Sequence, residues 1–198
     1  MMISKLISFL FLLSLLILVN SIPGGWKKGS FRENDLGIDR AFKKAFEVYS
    51  KDMPNSDIDF SQPLTIYRQI VNGVNYLLCF IDLNNDLNII QEFKINGPSF
   101  GGSNRNEEFE FLERKQFGPN KALLTSSDSR YKKINDLIND FSKKVKENFL
   151  YIVQIEIVET TLDNFFIVSG RKDNQLKTYV VGQSKENLDE FEFYGILN

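Results

Sequence analysis

The sequence predicts an α+β protein of two tandem units, each with one α-helix packed on an antiparallel sheet of four to five strands. Three observations predict it. The chain repeats itself: Glu107-Glu108-Phe109-Glu110-Phe111 returns as Asp189-Glu190-Phe191-Glu192-Phe193, and Asn75-Tyr76-Leu77-Leu78 aligns with Asn164-Phe165-Phe166-Ile167. The offset between copies shortens along the chain, so one loop of the second copy is shorter, as expected of a duplicated structure. Each copy opens with apolar residues at three- and four-residue steps and continues as short runs rich in Val, Ile, Phe and Tyr. A helix followed by a meander gives a sheet with its helix on one face.

Taken in order, the first element is a targeting segment. Lys5 precedes an apolar stretch from Leu6 to Val19, and Val19-Asn20-Ser21 offers a cleavage site, so residues 1–21 are expected to be a secretory signal peptide. The stretch is shorter than the about 20 apolar residues that a membrane span requires. Cleavage leaves Ile22-Pro23-Gly24-Gly25 as the new N-terminus. The first unit is assigned to residues 22–116. Its helix carries the stripe Ile38, Ala41, Phe42, Ala45, Phe46 and Tyr49, with a cap at Asn34 or Asp35, and ends at Pro54 and the turn formers Asn55-Ser56-Asp57.

The strands follow. Leu64–Val71 and Val74–Ile81 alternate about Asn72-Gly73, the pair that a two-residue type I′ hairpin turn demands because both positions need positive φ. Cys79 falls among apolar strand residues and reads as a buried thiol. A Gly/Ser/Asn loop spans residues 96–103. A linker is expected over residues 114–125, punctuated by Gly118-Pro119-Asn120. The second unit is assigned to residues 117–198. Ser127 or Asp128 caps a helix with the stripe Tyr131, Ile134, Ile138, Phe141 and Val145, and strands are expected near 153–158, 165–169, 176–181 and 190–197. The chain has 18 Phe, and those at strand and helix-stripe positions read as core packing ahead of any ligand cage.

Composition excludes several classes. The 24 basic and 26 acidic residues nearly balance, leaving no electrostatic footprint for nucleic acid or an anionic membrane. The chain has no histidine and one cysteine, so His-based triads, His metal sites and thiolate clusters are ruled out, and no intrachain disulfide can form. No enzyme activity, metal or cofactor is expected. The mature chain is expected to be secreted, extracellular, free of membrane once the signal is removed, and monomeric.

At this point residues 22–116 resemble the cystatin superfamily of cysteine-protease inhibitors, in a tandem form. Pro23-Gly24-Gly25 precedes the helix, where cystatins carry a glycine in their N-terminal trunk. After the helix, Gln69-Ile70-Val71-Asn72-Gly73 matches the family's Gln-x-Val-x-Gly first hairpin loop, flanked by Arg68 and Val74-Asn75-Tyr76-Leu77. The resemblance implies reversible, competitive blockade of papain-like, cathepsin L-like proteases by a wedge of trunk, first loop and second loop. Pro23, Gly24, Gly25, Gln69, Ile70, Val71, Asn72 and Gly73 would form the first two parts. Secreted cystatins carry Pro-Trp in the second loop. Here Pro98 and Phe100 are the candidates for that pair, beside the plainer reading of a Gly/Ser/Asn loop. Trp26 is expected to pack near the helix.

Some cystatins inhibit legumain through an Asn after the helix, which would be Asn55. The lone cysteine departs from the two disulfides common in secreted cystatins. The second unit replaces the motif with Val158-Glu159-Thr160-Thr161-Leu162 and is expected to keep the fold without the wedge. The rival reading is a secreted binding protein of the same fold with no inhibitory activity.

Overall fold

The computed structural model describes residues 25–29, 36–53, 63–71, 73–82, 89–98, 108–118, 120–146, 148–172 and 175–197. The signal segment, the two caps expected at Asn34 or Asp35, Pro54, and the Asn55-Ser56-Asp57 turn lie outside these residues. In chain order the elements are β1 (Lys27–Lys28), α1 (Leu36–Asp52), β2 (Thr65–Val71), β3 (Gly73–Asp82), β4 (Ile89–Gly97), β5 (Glu110–Phe117), β6 (Asn120–Leu123), α2 (Ser129–Lys144), β7 (Phe149–Glu159), β8 (Asp163–Lys172), β9 (Gln175–Ser184) and β10 (Phe191–Leu197).

Both halves have the same wiring. β1 to β5 form one antiparallel sheet in sequence order, and β6 to β10 form another. In each, a short edge strand leads into the helix and a four-strand meander follows. The stretch expected as a linker is mostly strand: β5 runs through Phe117 and β6 begins at Asn120. Only residues 118 and 119 separate these strands, a gap that composition alone reads as a longer loop.

The helices bury the stripes that the spacing predicts. On α1, Ile38, Ala41, Phe42, Ala45 and Tyr49 meet Ile66, Val74, Tyr76, Leu78, Phe80, Phe93 and Ile95. Tyr49 stands edge-on to Phe93 with ring centroids 6.0 Å apart, and its hydroxyl donates to Asp82 Oδ2 at 2.6 Å. Phe46 is an exception: it is exposed, because it lies at the margin of the arc centred on Ala45 and Tyr49. On α2, Asp128 is the N-cap. Its carboxylate accepts the Arg130 backbone N–H at 2.8 Å and also pairs with the guanidinium, which holds the Asp128 carboxyl below its ordinary range. Ile134 and Ile138 are buried, and Phe141 stacks on Phe193 at 4.3 Å. Val145 is the C-cap and is exposed, past the last turn that the sheet covers.

The faces turned away from the helices pack on each other. Cys79 and Ile90 of the first sheet join Val158, Phe165, Ile167 and Val180 of the second in one cluster. The layers therefore run helix, sheet, sheet, helix. This is why β3 is buried along nearly its whole length instead of on alternate residues. Among the described residues no helix is long and apolar enough to cross a membrane.

Candidate functional site

The candidate site is the edge of the first sheet where three chain segments meet. The β2–β3 register places Gln69 opposite Asn75, Ile70 opposite Val74 and Val71 opposite Gly73. A two-residue Asn-Gly turn would have set Val71 opposite Val74. The hairpin is thus one residue tighter in register than the sequence predicts, and Gly73 belongs to the ladder. Gly73 has φ +122°, and a Cβ there would come within 2.6 Å of the Gly97 carbonyl oxygen. Only glycine fits both demands. The turn type itself involves Asn72, which lies outside the described residues.

That close approach joins the first tip to the second loop. Val74 pairs with Gly97 at the end of β4, and Pro98 follows directly. Gly97 is itself covered by Phe109, which lies against Tyr76 with centroids 6.0 Å apart. Pro98 is half-buried; Phe100 lies outside the described residues. The third segment arrives from the other side. β1 pairs antiparallel with β2, Lys27 opposite Arg68 and Lys28 opposite Tyr67. Following that register toward the N-terminus, Trp26 comes level with Gln69 and Gly25 with Ile70. Gly25 is exposed, with nothing within 4 Å of an added Cβ. Pro23 and Gly24 lie outside the described residues. Of the ten residues that the sequence nominates, the structure therefore brings Gln69, Ile70, Val71, Gly73 and Pro98 to one edge, and Gly25 falls beside them only by extension of the β1–β2 register.

Their side chains do different things. Ile70 is 66% exposed and Val71 37%, so the tip presents apolar surface to solvent. Gln69 instead turns along the sheet. Its Oε1 accepts from Asn75 Nδ2 at 3.2 Å, and Asn75 Oδ1 accepts from Asn96 Nδ2 at 2.7 Å. This amide chain ties β2, β3 and β4 together immediately behind the tip. Trp26 does not pack near the helix as expected. Its ring lies 5.9 Å from the Lys94 ammonium, and Lys94 follows Ile90 and Glu92 at alternate positions on the face turned away from α1.

The matching hairpin of the second unit is anchored at its base: Thr160 and Asp163 are buried, while Glu159 and Thr161 are exposed. Thr160 closes its turn by donating its backbone N–H to Asp163 O at 2.9 Å, and Thr160 and Asp163 are 2% and 1% exposed. The tip inserts against the first sheet. Thr161 donates from Oγ1 to Glu92 Oε1 at 2.5 Å and from its backbone N–H to Oε2 at 3.2 Å. The Asp163 carboxylate accepts from Tyr67 OH at 2.6 Å and Thr65 Oγ1 at 3.0 Å.

Burial pushes the Asp163 and Glu92 carboxyls above their ordinary values, against the pull of these hydrogen bonds and of Lys28 and Lys115. Burial and the Asp163 charge raise the Tyr67 phenol. Cys79 is a buried free thiol, pushed up by burial and by Glu92, so it is not a nucleophile.

The sequence held one missed signal for this contact. Runs such as Tyr76 to Ile81 and Phe165 to Val168 are continuously apolar, which marks strands covered on both faces. Among the described residues no group of His, Cys, Asp and Glu is placed to hold a metal ion. No protein-family model matches the chain, and no curated protein sequence matches it.

Proposed function

We propose that the chain is a secreted, reversible, competitive inhibitor of papain-like cysteine proteases, built as two tandem cystatin-like domains at residues 22–116 and 117–198. The single observation that carries this reading is the meeting of the Ile70-Val71-Gly73 tip with Gly97-Pro98 at one edge of the first sheet, with β1 running alongside β2 just after Gly25. A blocking wedge needs a narrow, rigid, uncharged ridge. The tip supplies one: apolar side chains project outward, glycine permits close backbone approach, and the Gln69-Asn75-Asn96 amides hold the strands beneath. Little ordering then remains to be done on binding. The reading needs no catalytic group: blockade rests on shape and apolar contact at the tip.

The second domain has no such wedge in this proposal, because its corresponding tip carries Glu159 and Thr161 in place of an apolar ridge and is tied to the first sheet through Thr161 and Asp163. Legumain inhibition through Asn55 stays a separate proposal, and that residue lies outside the described residues.

The test uses the whole mature chain, residues 22–198, titrated against papain and a cathepsin L-like protease. Expected is inhibition that rises with substrate dilution, as competition requires, and reverses on gel filtration. Full protease activity at micromolar inhibitor would leave the alternative, a non-inhibitory binding protein of the same fold.

A further inference from the structure

β1 is held to its own sheet by little. It is two residues long, lies at the sheet edge, and is followed by one further bond from the Gly29 N–H to Ile66 O at 2.8 Å. Yet it carries Gly25 and Trp26 to the candidate edge. The side chain of Lys28 explains how so short a strand is positioned. It points across to the second unit, where Nζ donates to Glu192 Oε2 at 2.5 Å and to the Tyr194 hydroxyl at 3.1 Å, and lies 5.7 Å from the Tyr194 ring centroid.

The receiving residues are themselves fixed. The Tyr194 hydroxyl donates to Glu192 Oε2 at 3.0 Å. Its ring packs on Phe165 at 5.9 Å and covers Gly182 so closely that a Cβ there would stand 2.3 Å from Tyr194 Cε2. Tyr194 is placed by the bulge in β10, where the register with β9 shifts between Phe193 and Gly195. The bulge re-aims a residue of the final strand into the space between the sheets. The buried Asp163 carboxylate adds a further charge acting on Lys28.

We propose that Glu192 and Tyr194 are positioning residues for the first unit's N-terminal arm, clamping Lys28 so that residues 25–28 leave the sheet beside the hairpin tip. The inference rests on the reading of that edge as protease-binding. An isolated exposed ion pair contributes little. Here the cation has two donor contacts and an aromatic face on a rigid strand, and it fixes a segment with few other holds. Release of the clamp leaves the tip intact but lets the arm wander, so a bound protease is lost faster while its approach is little changed.

The experiment compares residues 22–198 with its Glu192→Gln/Tyr194→Phe variant, and with Lys28→Met as a second variant. Each is also made in a shortened chain lacking residues 22–25. Trp26 is the only tryptophan, so acrylamide quenching of its fluorescence reports on the arm without any protease. Expected is stronger quenching in both variants, and about fivefold faster dissociation from papain. In the shortened chain the same substitutions should leave dissociation unchanged, which a general loss of stability would not do. Unchanged quenching, or an equal effect in the shortened chain, overturns the clamp. If the unsubstituted protein does not bind papain, the inhibitory reading fails, and the quenching still decides whether Lys28 is held.

Discussion

Glu92 and Asp163 are costly residues to place. Both are carboxylates buried between sheets, and each is satisfied across the boundary: Glu92 by Thr161, Asp163 by Tyr67 and Thr65. Their folded pKa values lie above the ordinary ones, chiefly through burial. Across the interval between unfolded and folded values the native state binds more protons than the unfolded chain. Their contribution to stability is therefore most favourable below the ordinary carboxylate range and declines as the pH rises through the raised values. Glu92→Gln keeps an acceptor for Thr161 without the charge. Urea unfolding between about pH 4 and pH 7 should show wild-type stability falling with rising pH relative to this variant. Parallel profiles would mean that Glu92 is solvated in the native protein. Neither partner was legible in the sequence, because Glu92 and Thr161 are far apart in the chain and polar residues in strands ordinarily face water.

At the scale of the element, the two hairpins are the same unit put to different uses. The β2–β3 tip projects Ile70 and Val71, whereas the β7–β8 tip is spent on the Thr161 and Asp163 contacts. Val71→Asp tests the first. The side chain is partly exposed, so the fold should hold to within about 0.5 kcal/mol in urea, while burying an unpaired carboxylate in an apolar cleft should weaken papain binding at least about tenfold. Unchanged affinity would place the wedge elsewhere. Helices and strands were readable mainly from period, and of the two caps offered for the second helix, Ser127 or Asp128, the structure uses Asp128. Errors fell at margins. Phe46 and Val145 sit at the edge and end of their stripes, where an apolar residue fits either surface, and the hairpin register depended on the Gly73–Gly97 approach, a contact with the next strand that the local hairpin pattern does not show.

For the whole molecule, the sheet-on-sheet stack makes the two units interdependent. Residues 22–116 alone would expose the Cys79 and Ile90 face and strip Glu92 of its Thr161 donors. The fragment should be less stable than the intact chain by about 3 kcal/mol or more, measured as a lower urea midpoint with increased binding of a hydrophobic dye. Equal midpoints would show that the interface contributes nothing. The duplication itself was plain in the sequence, since the Glu-Phe-Glu-Phe echo is local. The stacking was not, because it depends on which of two apolar faces finds which partner. The candidate edge was legible in its glycine and apolar tip, and what the sequence lacked was the second unit's grip on Lys28.

A repeated binding module ordinarily multiplies valency. In this chain the Thr160–Asp163 turn does the reverse: the second unit's matching hairpin is tied through Thr161 and Asp163 to the first sheet and so joins the two units together. Under the proposed inhibition a chain with two units would engage a single enzyme molecule. It would saturate at one equivalent and gain nothing from avidity, so its potency would rest on the geometry of one edge.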